Sequence, residues 1–376
     1  MNVEIRAIEP TRSQLRTFTK FGIDFYDGNP YFVPPLIHDD VNTLSPKVNP
    51  AFDFCEAQCF MAYRDGKPVG RIAAIINNVV NERTGNKDLR FGFLDFIDDN
   101  EVVDALFDAA AKWGRSKGMT SMVGPMGFTD MDHEGMLVEG FEEVGTMATI
   151  YNYPYYPMQM ARMGFEPEAE WVEMSIKIPD SIPDRYARVA EIVKKRNNLR
   201  VIKFTSRKQI KEQYGHAIFD LVNRAYDQLY GYSPLTERQI NYYIEMYLGI
   251  INLDLVTLVV DENDKLVAVG ISIQSFSKAL QQSRGKLFPS GWWHLLGALR
   301  GKTETVDLLL IAVDPEYQNK GVNALLFTDL IPNYIKAGFK YAETNPELHS
   351  NQKVQSQWEY FETRQHKRRR SFRKDL

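Results

Sequence analysis

Cysteine is nearly missing from this chain of 376 residues, with only Cys55 and Cys59. That excludes a disulfide framework and, without clustered histidines, a zinc site, so two buried thiols are the plain reading. An excess of one charge is missing too. Lys plus Arg total 45 against Asp plus Glu 49, a net charge of −4, which gives no broad basic surface of the kind nucleic-acid binding needs. No uninterrupted apolar run approaches the ~20 residues of a membrane span. The opening MNVEIRAIEP has no signal-peptide core, so a cytoplasmic location is expected. Neither G-x-G-x-x-G nor G-x-x-x-x-G-K-[ST] occurs, which excludes the two familiar phosphate loops.

What is present is enough apolar material, 44% of residues, to fill two cores. The most informative stretch is LLLIAVDPEYQNKGVNALLFTDL, Leu308 to Leu330. Val306 to Val313 reads as a buried strand, Asp314-Pro315 ends it, and from Lys320 the apolar residues Val322, Leu325, Leu326 and Leu330 recur at helical spacing. Between strand and helix, Gln318, Asn319, Lys320, Gly321, Val322 and Asn323 would aim successive backbone N–H groups into one small volume. Such a helix start favours an anion by roughly 0.3–1 kcal/mol from its dipole alone.

This Gln318-x-x-Gly321 segment resembles the Q/R-x-x-G-x-G/A signature of the GNAT superfamily, the acyl-CoA-dependent N-acyltransferases. Asn323 departs from that pattern, although Ala324 follows at once; an asparagine there could cap the helix or crowd a phosphate. Phe339 to Thr344 reads as the next strand, and Asn351 to Phe361 as a further helix. The resemblance puts Asn351 beside the pantetheine arm of the cofactor and Trp358 where the family usually has a tyrosine, with Tyr360 two residues on.

The front half repeats the pattern. Phe60 to Ile76 reads as a hairpin, LRFGFLDF as a strand, Glu101 to Lys117 as an amphipathic helix and Met119 to Val123 as a strand. Asn152 to Phe165 resembles the second GNAT block, so the chain reads as a tandem duplication. Where the phosphate loop belongs, however, stand Asp98, Asp99, Asn100 and Glu101. A carboxylate ~4 Å from a phosphate costs about 1 kcal/mol in water and about 4 at an effective dielectric near 20, so this copy should not hold the cofactor. Asp99 or Asn100 should cap the helix instead. The expected architecture is α/β (α+β): two GNAT-like domains, each a mixed, mostly antiparallel twisted sheet flanked by helices. They are a degenerate domain over 1–178, a linker helix over 179–200 and a catalytic domain over 201–376.

Read through that resemblance, the co-substrate is acetyl-CoA or a longer acyl-CoA, with no metal, and the reaction is direct attack of an amine on the thioester. The amine belongs to a small-molecule or lipid-like acceptor. Backbone N–H groups around Ile311, Ala312 and Val313 would polarise the carbonyl. Asp307 is the first candidate base, since period two places it on one face with Leu309, Ile311 and Val313, barring a bulge. Glu343 is the second, and either acid could be no more than a strand-end residue. Tyr360 is a candidate acid for the leaving thiolate, although two residues along a helix turn it about 200° from the usual face. The alternatives are a non-catalytic acyl-CoA-binding or sensor protein, and a tandem transferase using aminoacyl-tRNA, which would need a basic groove.

Four further segments stand out. The insertion Phe276 to Thr305 carries Trp292, Trp293, Leu295, Leu296 and Leu299 between Lys286, Arg300 and Lys302; residues 286–302 are either a core-packed helix or a weak peripheral membrane contact. The loop Gly124 to Phe141, with Asp130, Asp132, His133 and Glu134, could recognise a cationic amine. The basic tail HKRRRSFRKDL reads as a terminal strand with a solvated face, and YFVPPL as an extended surface segment.

Overall fold

The computed structural model describes residues 3–249, 251–289, 291–300 and 303–376. Its fourteen strands form one sheet. In the first half these are β1 (Glu4–Ile8), β2 (Cys55–Arg64), β3 (Lys67–Asn77), β4 (Asp88–Phe96), β5 (Ser121–Gly124), β6 (Met136–Glu139) and β7 (Glu166–Lys177). The second half supplies β8 (Arg200–Ile202), β9 (Val256–Val260), β10 (Leu266–Gln274), β11 (Thr305–Val313), β12 (Tyr341–Thr344), β13 (Glu347–Leu348) and β14 (Thr363–Asp375). The continuous path runs β1-β2-β3-β4-β5-β14-β7-β12-β11-β10-β9-β8.

The duplication is visible in the irregularities as much as in the order. β4 runs parallel to β5 only from Asp88 to Arg90, and β11 parallel to β12 only from Thr305 to Leu308. Each of these strands then carries one extra residue against its antiparallel neighbour, near Phe93 in β4 and at Leu309 in β11. A bulge adds local twist and bends a strand away from its neighbour, so both halves splay at the same place.

The halves also exchange strands. β14, from the end of the chain, pairs with β5 of the first half, while β7 pairs with β12 of the second, and the two lie side by side along nearly their whole length. The basic tail is therefore no solvated face. Lys367 and Arg369 are each 1% exposed, paired with the buried Glu173. A mid-sheet strand buried on both faces can keep such residues only with charge partners.

Helices cover both faces. Asn100–Ser116 buries Val102, Val103, Leu106 and Ala110 against β2 to β4, and Arg12–Asp24 puts Leu15 and Phe18 on the opposite side. In the second half Asn323–Ala337 packs Leu325, Leu326 and Leu330 on one face, and Arg207–Tyr226 with Glu237–Tyr247 covers the other. The helix Asp184–Arg196 packs Tyr186, Ala190 and Val193 into the second core. YFVPPL is not a surface segment: Val33 and Pro34 are buried, and Val33 packs with Ile273, Phe276 and Leu280 from the second half. Among the described residues no helix is long and apolar enough to cross a membrane.

Candidate active site

The splay between β11 and β12 is the centre of the site. The strands part after Leu308 pairs with Thr344, leaving the far edge of β11 without a strand partner. Side chains take its carbonyls: Asn345 Nδ2 donates to Leu309 O at 2.9 Å, Tyr226 Oη to Ile311 O at 3.0 Å and Gln318 Nε2 to Val313 O at 3.1 Å. In a strand the N–H and C=O of one residue point the same way, so the N–H groups of Ile311 and Val313 face this cleft, while Ala312 faces β10. The matching splay in the first half is filled by its own chain. Met126 N donates to Phe91 O at 2.8 Å, and a Cβ on Gly92 would lie 2.4 Å from Met126 O.

Beyond Val313 the chain turns through Pro315–Tyr317 into the loop expected to hold phosphate. Asn319 and Gly321 have positive φ, 61° and 79°, which turns successive amides toward one side. The N–H groups of Asn319, Gly321, Val322 and Asn323 have no hydrogen-bond partner among the described residues, and Gln318 to Gly321 are exposed. A Cβ on Gly321 would come within 2.8 Å of Val189 on the helix Asp184–Arg196, so this close fit needs glycine. The helix begins at Asn323, three residues later than its pattern suggested, with Ala324 buried behind it. Asn323 neither caps the helix nor enters the loop; its Nδ2 donates to Gln357 Oε1 at 3.2 Å. Lys320 lies over the Tyr317 ring, 5.0 Å from its centre. The loop is thus an open, donor-only cradle, and it fits a diphosphate.

In the first half the corresponding turn is closed. Asp99 caps its helix by accepting from Val102 N, and Arg64 pairs with Asp99 at 2.7 Å and Glu101 at 2.8 Å.

At the other end of the cleft the bulge changes one expectation. With Leu309 as the extra residue, alternation places Asp307 with Leu310 and Ala312, not with Ile311 and Val313, which pack on the opposite face. Asp307 is 1% exposed and neither of its oxygens has a hydrogen-bond partner. Burial, then the charge of Glu343, pushes its pKa up to about 7. Glu343 stands opposite it on β12, with Oε2 at 2.7 Å from His366 Nε2. That contact is a close approach without N–H···O alignment, since the same oxygen lacks a geometrically sound hydrogen bond.

The acidic loop of the first half reaches this face. Met131 packs on the apolar cluster of Ala312 and Leu310. Asp130 Oδ1 and Glu134 Oε2 are sealed from solvent without partners. Burial raises Asp130 to about 7 and Asp132 to about 6, and burial with repulsion from Asp130 raises Glu134 to about 8. Glu347, raised by burial to about 7, keeps one oxygen unpartnered while the other accepts from Trp358 Nε1 at 2.9 Å. Sequence reasoning overlooked Tyr226, Glu347 and His366, whose roles depend on strand splay and exchange.

Asn351 caps the short helix Gln352–Gln355, accepting from Val354 N at 3.3 Å, and a 3-10 turn follows over Ser356–Trp358. The single helix expected to reach Phe361 is absent. Trp358 is core, packed on Phe327. Tyr360 is 41% exposed, stacked under Arg185 with its edge to Tyr186; its phenol is not brought to Asp307 or Glu343.

This arrangement is the tandem GNAT fold. It aligns with a tandem GNAT protein from the clavulanic acid biosynthesis pathway at a TM-score of 0.57, with 12% identity, over 100% of this chain and 98% of that one. It also aligns with a GCN5-related N-acetyltransferase from Sphaerobacter thermophilus at 0.54, with 10% identity, over 99% and 95%. In sequence the chain is similar to Protein YghO of Escherichia coli K12, 26% identical over 322 residues, which cover 85% of this chain and 81% of that protein. It is equally similar to a bacterial ceramide synthase of Caulobacter vibrioides, 26% identical over 314 residues, 82% and 80% of the two chains. No family model matches.

Proposed function

We propose that the protein is an acyltransferase that moves an acyl group from acyl-CoA to the amine of a lipid-like or small-molecule acceptor, on the cytoplasmic side of the cell. The observation that carries this is one line of features along β11. An unpartnered carboxylate, Asp307, lies at one end, the cleft-facing N–H groups of Ile311 and Val313 in the middle, and the amide cradle of Gln318 to Asn323 at the other. The cradle would hold the diphosphate, and Asn351 would lie beside the pantetheine arm. The strand N–H groups would stabilise the oxyanion, and Asp307, with Glu343 as the second candidate, would take the ammonium proton.

Asp130, Glu134 and Glu347, whose protonated forms burial favours, would ionise and pair with a cationic amine brought among them. The apolar set of Val33, Ile273, Phe276 and Leu295 lies on the Asp307 side of the sheet, which suits a hydrocarbon chain. A ceramide is the amide of a long-chain amine, so the likeness to a ceramide synthase favours the lipid-like acceptor. The helix Gly291–Arg300 rests on that apolar set through Leu295 and Ala298, leaving Phe288, Trp293 and Leu299 exposed. We assign this face to weak membrane contact; of the basic flank, Lys302 and the Arg300 side chain lie outside the described residues.

Native mass spectrometry of the freshly purified protein is the test: a retained CoA species is expected, and Gln318→Ala or Gly321→Glu should lose it. Retention by either variant would place the cofactor elsewhere. The exposed position of Tyr360 favours a second reading, a non-catalytic acyl-CoA sensor. Thiol release from acetyl-CoA and palmitoyl-CoA on adding amines of increasing chain length separates the two, because a sensor releases none.

A further inference from the structure

Coenzyme A does not end at its diphosphate. Beyond it lie an adenine base and a ribose whose 3′-phosphate carries a charge of about −1.5 to −2 at neutral pH, and whatever borders the cradle must meet them. One helix borders it closely. Val189 and Val193 of Asp184–Arg196 stand 2.8 and 3.4 Å from where a Cβ on Gly321 would lie. At about 100° per residue, that line of contact has two flanks. On one, Tyr186 and Ala190 turn into the core. On the other, Ile192, Arg188 and Lys195 come round, and Arg196 lies nearly in line with Val189 two turns on. All four are exposed, Ile192 by 62%.

Ile192 is the centre of this outer flank. Its neighbours on the helix surface are Arg188 at i−4, Lys195 at i+3 and Arg196 at i+4, so three cations surround one open apolar side chain. These cations are uncommitted. Among the described residues no carboxylate lies within 4.0 Å of Arg188, Lys195 or Arg196, and Glu191, the one acid of the helix beyond Asp184, pairs with none of them. Arg185 differs, being laid on the Tyr360 ring at 4.2 Å. The acids of the loop are turned to other cations, Asp314 to Arg224 at 3.2 Å and Glu316 to Lys265 at 3.8 Å. Positive charge on the Gly321 side of the cradle therefore stands unopposed in a chain whose net charge is −4, and it suits a phosphate.

We propose that this flank is the seat of the cofactor's adenosine 3′-phosphate, with Ile192 under the base and Arg188, Lys195 and Arg196 gathering the 3′-phosphate. This rests on the acyl-CoA reading above and adds a specificity to it. The protein distinguishes coenzyme A from 3′-dephospho-coenzyme A although that phosphate is remote from the thioester.

Isothermal titration calorimetry of the full chain with each of these two ligands is the test, at about 50 mM and about 200 mM salt. Wild type should bind coenzyme A roughly ten-fold more tightly than the dephospho form, and the advantage should shrink at the higher salt. Arg188→Ala with Lys195→Ala and Arg196→Ala, all at exposed helix positions where alanine is favoured, should bind the two ligands alike and keep the affinity for the dephospho form within about two-fold. Ile192→Ser should weaken both by about three-fold and leave their ratio as it was. Equal affinity of wild type for the two ligands overturns the subsite. So does an unchanged ratio in the triple variant, or an equal loss of both ligands, which would mean that the cations serve the diphosphate. No weakening by Ile192→Ser takes the base off this helix. If wild type binds neither ligand, the acyl-CoA reading itself falls, and this subsite with it.

Discussion

Asp307 and Glu343 face one another across a parallel strand pair, and Glu343 comes within 3.8 Å of Lys367 Nζ and 2.7 Å of His366 Nε2. Burial and the facing carboxylate push Asp307 up to about 7, where a carboxylate is a useful base for an ammonium. We therefore expect kcat/KM to rise with pH through about 7. Asp307→Asn should lower kcat by roughly 10²–10⁴ while native mass spectrometry still shows bound CoA.

The same residue should destabilise the fold at high pH. Its folded pKa lies above the ordinary 3.8, so the protonated form is the one the native state favours. That contribution is complete below pH 3.8 and is lost as pH rises through about 7. Asp307→Asn does not titrate, and its stability relative to wild type should grow between pH 5 and 8, by up to about 2.5 kcal/mol. Urea denaturation at the two pH values measures this; an equal difference at both would show that Asp307 is not strained by its burial.

Much of this site was legible in the sequence because its signals are local. The strand-turn-helix of 305–337 follows from an apolar run, Asp314-Pro315 and helical spacing, and Gly321 marks a position where a Cβ meets Val189. The acid-lined turn at Asp98 to Glu101 correctly reads as a cap. What escaped depends on chain segments meeting from afar. One extra residue at Leu309 moves Asp307 to the face opposite that of Ile311 and Val313, and alternation cannot reveal a bulge. Nothing in HKRRRSFRKDL shows that it enters the middle of a sheet, because its partner Glu173 lies 194 residues before Lys367.

Acceptor choice should depend on the first half although the proposed cofactor cradle lies in the second. Asp130→Asn with Glu134→Gln removes two loop carboxylates that each have one oxygen sealed without a partner. KM for a cationic amine should rise about ten-fold or more with retained CoA unchanged. Because neutral amides relieve buried repulsion, thermal stability should hold or increase. A loss of CoA retention in this variant would mean that the loop supports the cofactor, not the amine.

The exposed aromatic face near the cleft gives a separable outcome. Phe288 is 76% and Trp293 63% exposed, so Phe288→Ser with Trp293→Ala should change stability by no more than about 0.5 kcal/mol. Flotation with phosphatidylglycerol vesicles should recover wild type and lose this variant, while turnover of a short soluble amine stays the same. If neither protein floats, this face does not dock on membranes.

The exchanged strands should make the two halves melt as one. Glu173 is fully buried between Lys367 and Arg369, and these cations hold its pKa below the ordinary 4.5 despite the burial that opposes them. Removing one partner from such a group leaves buried charge uncompensated, at a cost of roughly 3–5 kcal/mol. Glu173→Gln should lower the melting temperature at pH 7. A depressed carboxyl contributes stability above its unfolded pKa and loses it as pH falls through the folded value, so the gap to wild type should narrow below about pH 4. Because β7 and β14 each belong to both halves of the sheet, calorimetry should show a single transition in both proteins. Two transitions in the variant would mean that each half keeps its core without the strand it borrows.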